Sequence, residues 1–80
     1  MVTGAQIRAA RSALKLSIDS LSDLSGVSVR TLKRMESVLD VPNSNQPNLA
    51  AVKSALERLG IEFIGTPDDR PGIRIRRPKS

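Results

Sequence analysis

Residues 17–37 read SIDSLSDLSGVSVRTLKRMES, and the folding of this stretch decides the architecture of the chain. Ser17 is an N-cap residue, because its hydroxyl accepts from an N–H at the start of a helix. Asp19 follows in the first turn, where the helix dipole favours negative charge. Ile18, Leu21 and Leu24 form the inward face of this helix, and Gly26 supplies the left-handed backbone conformation that stops it. Val27 plugs the turn and Ser28 caps a second helix. There Thr31, Leu32 and Met35 cluster on one side, while Val29, Arg30, Lys33, Arg34 and Ser37 lie across from them. Leu21 and Leu24 are expected to meet Leu32 and Met35 and fix the crossing angle. Small side chains at Ser22 and Ser25 permit close approach.

The pattern extends in both directions. Upstream, Thr3 and Gln6 form a capping box, and Ile7, Ala10 and Leu14 follow at helical spacing, predicting a helix that ends near Lys15 or Leu16. Downstream, the Ser28-capped helix is expected to run through Val38 or Leu39 before Pro42 ends it. Residues 41–47 (VPNSNQP) make a polar loop, after which Asn48 is read as the cap of a fourth helix. Leu49, Val52, Leu56 and Leu59 are its apolar stripe and Gly60 its stop. The period then changes. Residues 61–64 (IEFI) and 73–76 (IRIR) alternate as strands do, and residues 65–72 (GTPDDRPG) carry a dense turn signal, predicting a β-hairpin with a fairly long loop. The expected organisation is a helical unit over residues 1–60, a hairpin extension over 61–77 and a short tail at 78–80.

Composition narrows the function. Eighty residues make one small domain of marginal stability, for which a partner subunit is a common remedy. Cys and His are both absent, which removes the disulfide framework, the thiol nucleophile, the commonest general base and the commonest metal ligands. No enzyme activity, cofactor or metal is expected. Phe63 is the one aromatic residue, too few for a base-stacking surface. The net charge of +5, from 13 basic and 8 acidic residues, favours a polyanionic partner, against the alternative of an ordinary basic surface. No apolar run approaches a membrane span, and the first residues lack a signal-peptide core, so a cytoplasmic location is expected.

Two short helices around a tight turn, the second bearing an outward basic face, make the pattern of a helix-turn-helix whose second helix enters the DNA major groove. Arg30 and Arg34 are four apart and point the same way, and either guanidinium can bond guanine O6 and N7 together. Val29 is suited to a thymine methyl, and Lys33 to a base or a phosphate. Ser28 and Thr31 carry hydroxyls near the helix start, where backbone N–H groups also attract phosphate. The competing reading is a solvated basic helix face. Arg74, Arg76, Arg77 and Lys79 read equally as guards on an edge strand or as a grip on phosphate. Asp68 and Asp69, between two prolines, are turn formers.

From Thr3 to Leu59 the chain resembles the lambdoid phage repressor and Cro proteins and the wider XRE-type helix-turn-helix regulators. The residues that carry the resemblance are QIRAARSALKLS, LSDLSGVSVRTLKRME and, after a polar loop, NLAAVKSALERLG. The resemblance implies a mainly α fold, a four-helix lambda-repressor-like bundle to which this chain adds its C-terminal β-hairpin. It implies a homodimer on a near-palindromic operator, with Val29, Arg30, Lys33 and Arg34 at the base-reading positions. It implies a structural pairing of Arg11 with Glu36. Phosphate contacts are expected from Ser17, Ser28, Thr31, Ser37, Asn43, Ser44, Asn45 and Asn48. Members usually carry Gln just after the second helix's cap, where it holds phosphate; here that position is Ile18, so the contact is lost or replaced. The usual Ala in the middle of that helix is Ser22.

The expected function is therefore a DNA-binding transcriptional regulator, a repressor in the first instance, with double-stranded DNA and a second copy of itself as partners. Ile61, Phe63, Ile73 and Ile75 of the hairpin are the candidates for the dimer contact. The alternatives are an antitoxin of the same fold that also docks a toxin, and a protein–protein module that binds no DNA.

Overall fold

The computed structural model describes residues 2–42 and 46–76. Four helices, α1 (Gly4–Ala13), α2 (Ile18–Ser25), α3 (Val29–Glu36) and α4 (Gln46–Arg58), are followed by the antiparallel strands β1 (Ile61–Thr66) and β2 (Asp69–Ile75).

Local chemistry sets most helix ends. The Thr3–Gln6 capping box forms in full: the Thr3 hydroxyl accepts from the Gln6 N–H at 3.1 Å, and the Gln6 amide oxygen accepts from the Thr3 N–H at 2.8 Å. Ser17 and Ser28 accept from the N–H of Ser20 and Thr31, at 3.1 and 3.2 Å. Gly26 caps α2 at φ 75°, in the left-handed region that a side chain disfavours. α1 closes at Ala13, ahead of the Lys15–Leu16 end expected from its stripe. There the Leu16 N–H donates to Arg11 O and the Lys15 N–H to Ser12 O, a Schellman turn that places Lys15 at φ 52°.

Three further boundaries differ from the sequence reading. α3 stops at Glu36 and does not reach Val38 or Leu39. Ser37 bends its hydroxyl back onto Arg34 O at 2.6 Å, and the chain then crosses the start of α1, where the Gly4 N–H donates to Asp40 O at 2.9 Å. A Cβ at Gly4 would overlap the carbonyl oxygens of Met35 and Val38, so glycine permits this crossing. α4 starts at Gln46, so Asn48 lies inside its first turn and is not the cap. Pro47 belongs to that turn, where the N–H it lacks has no helical partner in any case. The hairpin connection is short. Strand pairing continues to Thr66–Asp69 through a bulge after Ile64, and Pro67 and Asp68 alone lie between the strands. Proline suits the first central position of such a turn, and Gly65 and Arg70, at φ 76° and 50°, absorb the bulge.

The core contains Ile7 and Ala10 of α1, Leu21 of α2, Leu32 and Met35 of α3, and Leu49, Val52, Ala55 and Leu56 of α4, together with Val2, Val27 and Ile61. Burying a leucine or isoleucine side chain contributes about 1.5–3 kcal/mol, so these residues dominate the favourable side of folding. Leu24 and Leu59, read as inward-facing, are 46% and 39% exposed. Leu24 stands in the last turn of α2 and Leu59 just past the end of α4, where each helix leaves the core.

Candidate nucleic-acid interface

The turn between α2 and α3 is braced by side chains. Val27 is buried beneath it. The Ser22 hydroxyl donates to Val27 O at 2.6 Å, and the Ser25 hydroxyl donates to Leu21 O at 2.7 Å while accepting from the Val27 N–H at 3.2 Å. Sequence reasoning valued these serines for small size and missed their hydrogen bonds. The signal available was two hydroxyls within five residues of a turn whose backbone groups lack helical partners. From α4, the Arg58 guanidinium donates to Leu24 O at 3.3 Å, placing a cation at the negative end of α2.

Leu32 and Met35 are fully buried and fix the rotation of α3. Arg30, Lys33 and Arg34 are consequently exposed along its outer side, with Val29 half-buried at its start. None of these three cations enters an ion pair among the described residues. Arg30 and Arg34 repel one another at a spacing of four residues, which costs a helix about 0.2–0.5 kcal/mol. Arg30 also lies in the first turn, where the helix dipole disfavours positive charge.

Arg11 and Glu36 form a two-pronged ion pair. Arg11 Nε donates to one carboxylate oxygen at 2.8 Å and Nη2 to the other at 2.9 Å, while Nη1 donates to Leu16 O at 3.1 Å. The Glu36 side chain is only 8% exposed, so α1 holds the end of α3 through a nearly buried carboxylate. The hydrogen bonds that Arg11 donates to the Glu36 carboxylate raise the Arg11 pKa above its ordinary value, against the opposing effect of burial.

The hydroxyls read as phosphate ligands serve the backbone. Ser17 caps α2 and donates to the Ser20 hydroxyl at 2.9 Å; Ser28 caps α3 and donates to Thr31 Oγ1 at 3.0 Å; Ser37 closes α3. Ser17, Ser28 and Ser37 are exposed and Thr31 is half-buried. Asn48 is half-buried in the first turn of α4, and Asn43, Ser44 and Asn45 lie outside the described residues.

The hairpin is part of the same packed body. The Gln6 side-chain amide donates to Ile64 O at 3.1 Å and Gly72 O at 2.7 Å, tying α1 to both strands. Ile61 is 2% exposed and belongs to the core, so of the four dimer candidates it is unavailable to a partner. Phe63 and Ile73 are half-buried against that core, and Ile75 is 51% exposed. Glu62 takes Arg74 at 3.5 Å and Arg76 at 3.3 Å, which partly neutralises the basic side of the hairpin. Arg77 and Lys79 lie outside the described residues. No helix of the described residues is long and apolar enough to cross a membrane. No protein-family model matches this chain, and no curated protein matches it significantly.

Proposed function

We propose that the chain is a sequence-specific DNA-binding transcriptional regulator that acts as a two-fold dimer, with the outer side of α3 in the major groove. The carrying observation is the row of Arg30, Lys33 and Arg34, exposed and without ion-pair partners on a helix whose opposite side is locked in the core. Arg30 and Arg34 repel one another in the free protein, and that repulsion is relieved against a polyanion. The arginines supply bidentate donors for guanine, and Val29 an apolar contact for thymine. The N-terminal ends of α2 and α3 are both capped and exposed, which suits them to approach the DNA backbone. The molecule measures 37 × 30 × 19 Å, so two copies side by side can present their α3 helices about one DNA turn, roughly 34 Å, apart.

Selection of bound sequences from a random duplex pool tests the reading. The expected result is a near-palindromic consensus and an affinity that falls steeply with salt. Recovery of random sequence, with binding independent of salt, would reject it.

A further inference from the structure

Beside α3 the surface opens into a groove lined by Arg8, Arg11, Ile18, Lys33, Glu36 and Ser37, where α1, the start of α2 and the end of α3 converge. Four of the six are already engaged. Arg11 and Glu36 hold one another, Ser37 donates to Arg34 O, and Ile18 packs against the core. Arg8 and Lys33 remain, on different helices, exposed, and without an ion pair among the described residues. Two like charges facing one open groove repel, and an anion between them turns that repulsion into attraction.

Lys33 also stands apart from the arginines of its own helix. At 3.6 residues per turn it is rotated about 60° from Arg30 and about 100° from Arg34, toward α1. The Ile18 side chain offers the groove no hydrogen-bonding group, and Arg8 and Lys33 are the two lining cations without an ion pair among the described residues.

We propose that Arg8 and Lys33 form a clamp for one DNA phosphodiester in this groove, and that Lys33 therefore supplies affinity while base choice falls to Val29, Arg30 and Arg34. The clamp rests on the DNA-binding reading above. It adds Arg8, a residue of the first helix, to the interface, and it assigns Lys33 to the backbone. Ile18 then serves packing alone, and the electrostatic contact made beside it is indifferent to sequence.

The test measures affinity against salt for the full chain and its Arg8→Ala, Arg8→Lys, Lys33→Ala and doubly alanine-substituted forms. The probes are a mixed-sequence duplex and the best duplex from the random-pool selection. Both side chains are exposed, so unchanged circular dichroism is expected in every variant. The loss of one phosphate contact should make the slope of log K against log salt shallower by about 0.9 per protomer, about 1.8 for the proposed dimer, in the doubly substituted form, while each single alanine variant weakens binding at low salt and Arg8→Lys keeps the full slope and affinity. Repeating the selection with Lys33→Ala should return the same consensus. An unchanged slope in the doubly substituted form, an unchanged low-salt affinity in Arg8→Ala, or an altered consensus in Lys33→Ala overturns the clamp while leaving the DNA-binding reading in place. Absence of salt-dependent binding by the unsubstituted chain overturns both.

Discussion

At the scale of the residue, the outer side of α3 and the Arg11–Glu36 pair make opposite demands on stability. Arg30 and Arg34 contribute nothing to the core; Arg30 stands at the unfavourable end of the helix dipole, while Arg34 stands at the favourable end and meets only the repulsion of Arg30. Arg30→Ala should leave thermal stability unchanged or slightly raised, and Arg34→Ala should leave it nearly unchanged. Each should weaken binding to the selected duplex by about 1–3 kcal/mol and broaden the base preference at one position. Titration calorimetry paired with a melting curve separates the two effects. Arg11→Ala is expected to act the other way, by leaving the nearly buried Glu36 carboxylate and the Leu16 carbonyl without their donors. With the pair partly open to solvent, the loss should be about 1–3 kcal/mol by urea denaturation. The raised pKa of Arg11 means that the arginine's share is present below its ordinary pKa and is lost only as pH rises through the raised value. No step from Arg11 is therefore expected in a stability profile across neutral and moderately alkaline pH.

At the scale of the element, one cap conflicts with its sequence. The Schellman turn after α1 needs a left-handed residue, and Lys15 occupies it at φ 52° where glycine is the usual solution. The strain of a side chain there is about 1–2 kcal/mol, offset in part by the extra freedom glycine would bring to the unfolded chain. Lys15→Gly should thus raise stability by about 0.5–1 kcal/mol, read as a higher urea midpoint with an unchanged slope; a lower midpoint would contradict this account of the turn.

At the scale of the whole molecule, Gln6 ties the first helix to the hairpin. Its amide oxygen completes the α1 cap and its amide nitrogen holds carbonyls 58 and 66 residues away. Gln6→Ala should cost about 2–3 kcal/mol and speed hydrogen exchange in β1 and β2 ahead of the helices. Equal acceleration everywhere would show that the hairpin opens only with global unfolding. Because Ile61 belongs to the core, removal of the hairpin is expected to unfold the helices as well as any dimer. A surface substitution tests the proposed dimer instead: Ile75→Lys, at the most exposed apolar residue of the hairpin, should shift sedimentation from the proposed dimer to monomer with the melting temperature of the monomer unchanged. An unaffected dimer would move the contact off this end of the hairpin.

Four helices, their caps at Thr3, Ser17 and Ser28, the stop at Gly26 and the buried set of Leu21, Leu32 and Met35 were all legible in the sequence. Each depends on chemistry within about four residues: a hydroxyl reaching one helical turn, a missing Cβ, an apolar period. The Arg11–Glu36 pair was legible by resemblance, and its two-pronged geometry came only with the fold. Tertiary structure alone decided where α3 ends, since the chain must cross Gly4, and that Leu24 and Leu59 face solvent. It alone decided that a signal read as a long loop is a two-residue turn with a bulge, that Ser22 and Ser25 brace the turn between α2 and α3, and that Arg8 and Lys33 share a groove. These features depend on groups far apart in the sequence or on how an entire helix is rotated. Periodicity fixes which side of a helix is apolar, but packing fixes how much of that side is covered and which distant carbonyl or cation lies opposite.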